Sequence, residues 1–218
     1  NVGLDWGLFD NRLTGSFDYY VRNTKDMVGN APELPAILGT DVPVTNNTDL
    51  RTSGWELSIG WNDRLDNGLS YGIKFNVADA RTKILRYPNN PTNAVDTYIA
   101  GRYINEIWGY TTIGIAKTDQ EMADHLATLP NGGQDALGSS WAAGDIMYAD
   151  TNGDGRISGG SGTLGDTGDR TVIGNSTPRY LFGLDLNASW KGFDVRVFFQ
   201  GVGKRDYWQG STYLFGAA

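Results

Sequence analysis

The 218-residue chain contains no cysteine, a single histidine and no apolar run of 18 or more residues. Without cysteine there is neither a disulfide framework nor a thiolate metal site. Because His125 is the single histidine, the sequence offers few residues for zinc catalysis or for Ser/His or Cys/His nucleophilic chemistry. The missing apolar run excludes a membrane-spanning helix, although it leaves open a membrane β-barrel, whose strands alternate in polarity.

The chain also lacks an excess of positive charge. Its 18 Lys and Arg residues are outnumbered by 25 Asp and Glu residues, which gives a formal net charge of -7 at pH 7. Nucleic acids and anionic membrane surfaces are bound through an excess of Lys and Arg, so neither is expected as the main partner. What is abundant is glycine, with 30 residues, and aromatic residues, with 7 Trp, 11 Tyr and 8 Phe. This balance favours β-strands joined by turns.

Six segments alternate between apolar and polar side chains. In the second of them Leu13, Phe17 and Val21 share one face, whereas Asp18 and Arg22 lie on the other. The six segments are NVGLDWGLF, RLTGSFDYYVR, GWELSIGWN, LSYGIKFNV, RYLFGLDLNASW and GFDVRVFFQG. Each is roughly 9 to 12 residues long, which suits a tilted strand that crosses a bilayer better than a strand of an ordinary soluble sheet. The alternation predicts six strands, each with one apolar face.

The connections between these strands differ in length at the two ends of the sheet. Short turns at residues 10–11, 64–68 and 191–192 join strand pairs near 2–22, 53–80 and 179–203, and longer segments lie near 23–52 and 81–178. Short turns on one side and long extracellular loops on the other are typical of an outer-membrane barrel. Trp61 and Trp190 lie beside the short turns on the apolar face, where an aromatic girdle is expected. The pattern therefore favours an all-β fold, an antiparallel transmembrane β-barrel segment.

Six strands cannot close such a barrel. Outer-membrane barrels begin at about eight strands, and an open edge would leave backbone groups unpaired in lipid. The chain is therefore expected to be a fragment of a larger barrel. The alternative is a secreted, soluble β-sandwich that binds carbohydrate, in which the apolar faces would be buried against each other instead of forming one outward band.

One short surface helix is predicted within residues 118–129. Met122, Leu126 and Leu129 recur at helical spacing after Thr118, which can act as the N-cap, and Glu121 completes a capping box. His125 lies on this helix, where a solvent-facing position is the simplest expectation.

The stretch DTNGDGRIS at residues 150–158 resembles the first part of an EF-hand calcium loop. Oxygen ligands are expected from Asp150, Asn152, Asp154, the carbonyl of Arg156 and Ser158. The Glu that normally closes the loop is replaced by Ser161, so that Asp166 or Asp169 would have to complete the site. A structural Ca²⁺ site in an extracellular loop is predicted. The alternative is a cluster of Asx turns without metal.

Three aromatic residues of the long segment are candidate ligand contacts. Trp108, Tyr110 and Trp141 could stack on sugar rings, while the alternative is that each packs inside the loop. No pair of carboxylates carries a spacing typical of a glycosidase, and no glycine-rich motif precedes a helix. An enzyme is not predicted.

Several blocks of the chain together resemble a known family. The blocks are NVGLDWGLFDNRLTGSFDYYVRNTKDMV, TSGWELSIGWN, GDIMYADTNGDGRIS and DRTVIGNSTPRYLFGLDLNASWKGFDVRVFFQGVG. In order, spacing and turn positions they resemble the late barrel region of SusC/RagA-type TonB-dependent outer-membrane transporters of Bacteroidota. In the family the aspartate loop continues almost directly into an Asp-Arg pair, whereas here an insertion separates Ile157 from Asp169 and Arg170.

This resemblance implies a single barrel domain of 22 strands, filled by a plug that the 218 residues do not include. It implies import of glycans or peptides across the outer membrane, energised by TonB through a segment absent here. The implied partners are a SusD-like surface lipoprotein that closes the barrel mouth, the imported substrate and outer-membrane lipid. Substrate identity and oligomeric state stay open, a dimer of SusC/SusD-like pairs being one option.

Overall fold

The computed structural model describes residues 1–30, 37, 39 and 43–209. The elements of this part of the chain are β1 (Val2–Leu8), β2 (Leu13–Asn30), β3 (Val44–Arg64), β4 (Ser70–Arg86), β5 (Glu106–Tyr110), β6 (Thr112–Ile115), α1 (Asp119–Ala127), β7 (Ile146–Tyr148), β8 (Arg170–Asn175), β9 (Arg179–Trp190) and β10 (Phe193–Lys204). Within these residues, no helix is long and apolar enough to cross a membrane.

The six predicted strands form one antiparallel sheet. Its strand order is β1-β2-β3-β4-β9-β10, and each neighbouring pair is antiparallel. Two small sheets, β5 with β8 and β6 with β7, lie in the segment between β4 and β9. The all-β fold with one short helix is confirmed.

Short turns connect the three hairpins at the predicted places. Lys191 and Gly192, which alone connect β9 to β10, have φ angles of 48° and 87°. Two successive residues with positive φ match the right-handed twist of the flanking strands, and Gly adopts this conformation at the least steric cost. Between β1 and β2, the three residues Phe9, Asp10 and Asn11 have positive φ angles of 57°, 57° and 62°. The local sequence therefore sets the register of these hairpins.

The register places the apolar residues of all six strands on one face. Leu57 of β3 lies opposite Phe17 of β2 and Val77 of β4. Directly opposite residues share a face, so the apolar positions join into a continuous band, called the apolar band below. The band comprises Val2, Leu4, Trp6, Leu8, Leu13, Phe17, Tyr19, Val21, Trp55, Leu57, Ile59, Trp61, Ile73, Phe75, Val77, Phe182, Leu184, Leu186, Trp190, Phe193, Val195, Val197 and Phe199.

Much of the apolar band is exposed. Val195 is 60% exposed and Ile73 45%, values far from those of a core. Because these residues belong to a single sheet, they are not buried between two sheets as a soluble sandwich requires. The sandwich alternative does not describe this fold, whereas an outward-facing band is what a barrel wall presents to lipid.

Tryptophan side chains border the band beside the short turns. The Phe9 and Trp61 ring centroids lie 6.2 Å apart. Trp61 Nε1 donates to the Tyr71 hydroxyl at 3.3 Å, and Trp190 Nε1 donates to the Asn67 carbonyl at 3.2 Å. Both indoles thus combine an apolar surface with a satisfied polar group, as residues of an aromatic girdle do.

The strands extend further than the sequence analysis expected. β2 continues to Asn30, β3 begins at Val44 and β4 ends at Arg86, so the predicted loop at 23–52 is largely strand. The alternation of apolar residues stops near residue 22 because the band stops there. Backbone pairing continues beyond it, for example between Thr24 and Leu50, since ladder hydrogen bonds do not require apolar side chains.

The segment between β4 and β9 has a small core of its own, formed by Ala116, Met122 and Met147. α1 supplies Met122, which is 1% exposed. Thr118 Oγ1 accepts a hydrogen bond from the Glu121 backbone N–H at 3.1 Å, as predicted for the N-cap. The Glu121 carboxylate reaches one residue further than in a capping box and accepts from the Lys117 N–H at 2.7 Å.

Candidate functional site

The aspartate loop is held together by its own side chains. The two carboxylate oxygens of Asp150 accept the backbone N–H groups of Gly153 and Gly155 at 2.6 and 2.8 Å. Asn152 Oδ1 accepts the Asp154 N–H at 3.0 Å, and Asp154 Oδ1 accepts the Arg156 N–H at 2.9 Å. The three predicted side-chain ligands therefore line one tight turn, as successive Asx turns do.

Asp169, rather than Asp166, closes this loop. Its carboxylate is fully buried and accepts the N–H groups of Thr151 and Ser158, both at 2.8 Å. Asp166 bonds instead to Ser161 N–H at 2.7 Å, and this backbone bond lowers the pKa of Asp166. Asp169 lies 11 positions after Ser158 in the sequence. The insertion between them folds so that Asp169 returns to the aspartate loop.

The donor types of the loop suit calcium, which prefers carboxylate and carbonyl oxygens. Each carboxylate oxygen that accepts one backbone N–H keeps a second lone pair. Across residues 1–30, 37, 39 and 43–209, however, no group of three or more His, Cys, Asp or Glu side chains is gathered as a metal site requires. The calcium site stays a prediction, with Asp150, Asn152, Asp154, Arg156, Ser158 and Asp169 as its candidate residues.

Trp108 lines a recess in the segment between β4 and β9. The recess has a volume of about 380 Å³ and also includes Tyr87, Tyr98, Arg102 and Glu106. The Arg102 guanidinium lies 5.1 Å from the Trp108 ring centroid and forms an ion pair with Glu106 at 2.8 Å. Tyr87 and Tyr98 meet edge to face with centroids 5.6 Å apart. Aromatic faces beside fixed charges could contact either a sugar or a peptide.

Tyr110 and Trp141 do not line this recess. Their rings lie 5.6 and 6.5 Å from the Tyr148 ring, and Trp141 also packs against the core of Met122 and Met147. Burial raises the pKa of Tyr110. The structure therefore separates the three predicted contacts into one recess residue and two packing residues. Tyr87 and Tyr98 were missed because they are distant from Trp108 in sequence.

The polar face of the six-stranded sheet contains a second recess of about 580 Å³. Its charged side chains are Lys74, Asp185 and Arg196, and its amides are Asn62 and Asn187. The Arg196 Nε–H is shared between the two carboxylate oxygens of Asp185, at 2.9 and 3.1 Å. Opposite the apolar band, the sheet thus presents a polar, charged surface suited to the lumen of a barrel.

His125 is half-buried rather than solvent-facing. Its Nε2 lies 3.0 Å from Gln134 Oε1, and Gln134 is fully buried. The difference arises because the chain turns after α1, where the Gly133 N–H donates to the Leu129 carbonyl at 3.1 Å, and the next residue, Gln134, contacts His125. His125 therefore has a structural partner in Gln134.

Curated relatives match nearly the whole chain. TonB-dependent receptor P3 of Formosa agariphila is 30% identical over 212 residues, which cover 92% of this chain and 19% of that protein. TonB-dependent receptor SusC of Bacteroides thetaiotaomicron is 25% identical over 196 residues, which cover 89% of this chain and 18% of that protein. The chain is related to SusC/RagA-type TonB-dependent transporters. It spans about one fifth of the length of these relatives.

The solved RagAB peptide transporter shares the fold of this chain. The match has a TM-score of 0.55 at 24% identity and covers 91% of this chain and 20% of the other. An open-open state of the RagAB peptide importer gives a TM-score of 0.57 at 22% identity, and this match covers 92% of this chain and 19% of the other. No family model matches the chain. These relatives are receptors and transporters, in agreement with the expectation of a non-enzyme.

Proposed function

We propose that this chain forms part of the wall of an outer-membrane, TonB-dependent importer. The observation that carries the proposal is the two-faced sheet, with the exposed apolar band on one side and the charged recess on the other. In a barrel the first face meets lipid and the second meets the aqueous lumen. The strand segments beyond the band and the segment between β4 and β9 then extend into the extracellular space.

The substrate class is a glycan or a peptide. Relatives named TonB-dependent receptor support energy supply from TonB, which would act through a part of the protein outside these residues. The RagAB structures are described as a peptide transporter and importer, which supports peptides for that protein. By analogy with these systems, a SusD-like lipoprotein is the proposed partner at the barrel mouth.

The test of this function is extraction of the full-length protein that carries this chain. We expect it to leave outer membranes only with detergent, to bring a lipoprotein with it on affinity purification, and to be required for uptake of an oligosaccharide or peptide. Recovery as a water-soluble monomer would overturn the proposal. Uptake that persists after deletion of TonB would overturn its energy source.

The Trp108 recess is the proposed ligand contact in the loop segment. Replacing Trp108 with alanine removes an aromatic face beside Arg102 and should reduce uptake by roughly two- to tenfold, since an aromatic contact contributes roughly 0.5–1.5 kcal/mol. Tyr207→Ala is the matched control, because Tyr207 is 74% exposed and does not line the recess. Equal uptake by wild type and Trp108→Ala, with both proteins folded, would remove Trp108 from the site.

We propose further that the aspartate loop binds a structural Ca²⁺ through Asp150, Asn152, Asp154, the Arg156 carbonyl, Ser158 and Asp169. The support is the donor chemistry of the loop and the approach of the buried Asp169 carboxylate to Thr151 and Ser158. An ion here would tie the insertion after Ile157 to the turn that precedes it. Extracellular calcium at about millimolar levels is enough to fill such a site.

A further inference from the structure

Three basic side chains lie together where the apolar band ends. Arg51 is directly opposite Lys83, and Ser53 is directly opposite Arg81, so all three basic residues share the face of the band. Along β3 this face reads Trp55, Ser53, Arg51, and along β4 it reads Val77, Asp79, Arg81, Lys83. Arg51, Arg81 and Lys83 are called the cationic patch below. Counting only pairs on this face, the patch begins two pairs beyond the last apolar pair of these strands, which is Leu57 with Val77.

Aromatic rings border the cationic patch. Arg81 stacks on Tyr103, with its guanidinium carbon 3.7 Å from the ring centroid. Tyr103 reaches this position because its backbone pairs with Lys83, in the part of β4 that extends beyond Arg179, the first residue of β9. Together with Tyr19 and Trp55, these residues line an open recess of about 260 Å³. The cationic patch therefore lies in a recess lined by aromatic rings, where stacking on Tyr103 orients Arg81.

The positive charge of the patch is not neutralised by the carboxylates near it. Asp79 forms a two-pronged ion pair with Arg179. Asp49 is bound to Arg86 through Nε at 2.9 Å. Within the described residues Arg51, Arg81 and Lys83 take part in no ion pair, although Arg51 donates to the Asn23 side chain at 2.8 Å.

Such an arrangement costs stability unless an anion is bound. Like charges directly opposite each other on neighbouring strands are destabilising, and Arg51 and Lys83 are such a pair. Arg and Lys are the side chains that bind phosphate, Arg through its planar fork and Lys as a point charge. Because the patch borders the apolar band, the fitting anion carries an apolar tail.

We propose that the cationic patch binds the phosphate-bearing headgroup of a membrane lipid in the outer leaflet. The inference rests on the proposed function, which puts the apolar band in the membrane. The acyl chains then lie along Tyr19, Trp55 and Leu57, and the phosphate lies between Arg51, Arg81 and Lys83. The net charge of -7 is compatible with this binding, because the acidic residues nearest the patch are engaged by Arg86 and Arg179.

The test measures binding of monophosphoryl lipid A to the full-length protein in neutral detergent. We compare wild type with the triple variant Arg51→Gln, Arg81→Gln, Lys83→Gln. A loss of about fivefold in affinity per charge, roughly a hundredfold in total, is expected. The matched control is Arg22→Gln, since Arg22 lies beside Asn23 at the same height of β2 but on the opposite face and should leave affinity unchanged. Wild-type affinity in the triple variant would overturn the proposal.

Two further arms separate other outcomes. Arg51→Lys with Arg81→Lys keeps the charge and should bind within about threefold of wild type, which distinguishes charge loss from misfolding. Dephosphorylated lipid A should bind wild type as weakly as monophosphoryl lipid A binds the triple variant. If inorganic phosphate bound as tightly as monophosphoryl lipid A, the patch would be a site for a soluble anion, and the proposal of a lipid ligand would be overturned. A protein that needs no detergent contradicts the proposed function, whereas a detergent-dependent protein with no preference for phosphorylated lipid contradicts only this inference.

Discussion

At the scale of single residues, the aspartate loop is the part of the chain with the most specific chemistry. Gly153 and Gly155 have φ angles of 78° and 77°, a conformation that glycine adopts without steric cost. It lets both of their N–H groups point at the Asp150 carboxylate. The same geometry serves a metal loop and a metal-free turn, so that only a calcium-dependent measurement separates them.

Replacing Asp154 with alanine should abolish stabilisation by calcium. If the site has an affinity between about 0.1 and 1 mM, 10 mM Ca²⁺ stabilises the folded wild type by roughly 1.4–2.7 kcal/mol. Limited proteolysis at increasing temperature, with and without Ca²⁺, monitors melting of the segment and measures the stabilisation by calcium. Asp135→Ala is the control, since Asp135 is exposed and lies outside the loop. The same calcium-dependent shift in Asp154→Ala as in wild type would contradict the site.

At the scale of secondary-structure elements, Gln134 connects α1 with β7. It is fully buried, accepts the Tyr148 N–H at 2.7 Å and donates to the Ile146 carbonyl at 3.1 Å. Its oxygen also lies 3.0 Å from His125 Nε2. A buried amide whose oxygen and nitrogen are both hydrogen-bonded fixes the positions of the elements around it, because the loss of either bond leaves a buried polar group unsatisfied.

The variant Gln134→Leu should loosen this segment without affecting the barrel wall. Leaving the Tyr148 N–H and the Ile146 carbonyl unpaired costs about 2–4 kcal/mol. Proteolysis between β6 and β7 is therefore expected to accelerate at least tenfold, while the heat stability of the six-stranded sheet stays the same. Gln120→Leu is the control, because Gln120 is exposed and bonds only to Asp124, at 2.8 Å. Equal proteolysis rates of the two variants would show that Gln134 does not hold these elements.

The elements differ in how well the sequence predicts them. The six long strands follow from alternation because one face of each must be apolar, and α1 follows from Thr118 and the spacing of Met122 and Leu126. The extensions of β2, β3 and β4 beyond the apolar band leave no such signal, since backbone pairing with polar side chains on both faces resembles a loop. The recess around Trp108 and the role of Gln134 depend on contacts between distant segments, which alternation and capping patterns do not contain.

At the scale of the whole molecule, the sheet has two faces with opposite requirements. Leu57 lies near the middle of the apolar band, between Phe17 and Val77, and the adjacent Ser58 lies on the polar face between Ser16 and Asn76. The nine residues from Leu13 to Val21 span about 26 Å along the strand at about 3.3 Å per residue, which at a tilt of about 35–45° covers roughly 20 Å of the about 25 Å height of a lipid-facing band. In the proposed barrel, one residue step along β3 therefore exchanges lipid for water.

This step gives the sharpest test of the architecture. Leu57→Arg places a charge at the bilayer midplane and should cost about 2–4 kcal/mol, whereas Ser58→Arg faces the lumen and should cost little. We expect the first variant to assemble poorly into outer membranes and to unfold at a lower temperature in heat-modifiability gels. The second variant should assemble like wild type, because the adjacent recess already holds Lys74 and Arg196. If both variants assembled equally well, the apolar band would not face lipid, because a charge at its centre would then carry no cost.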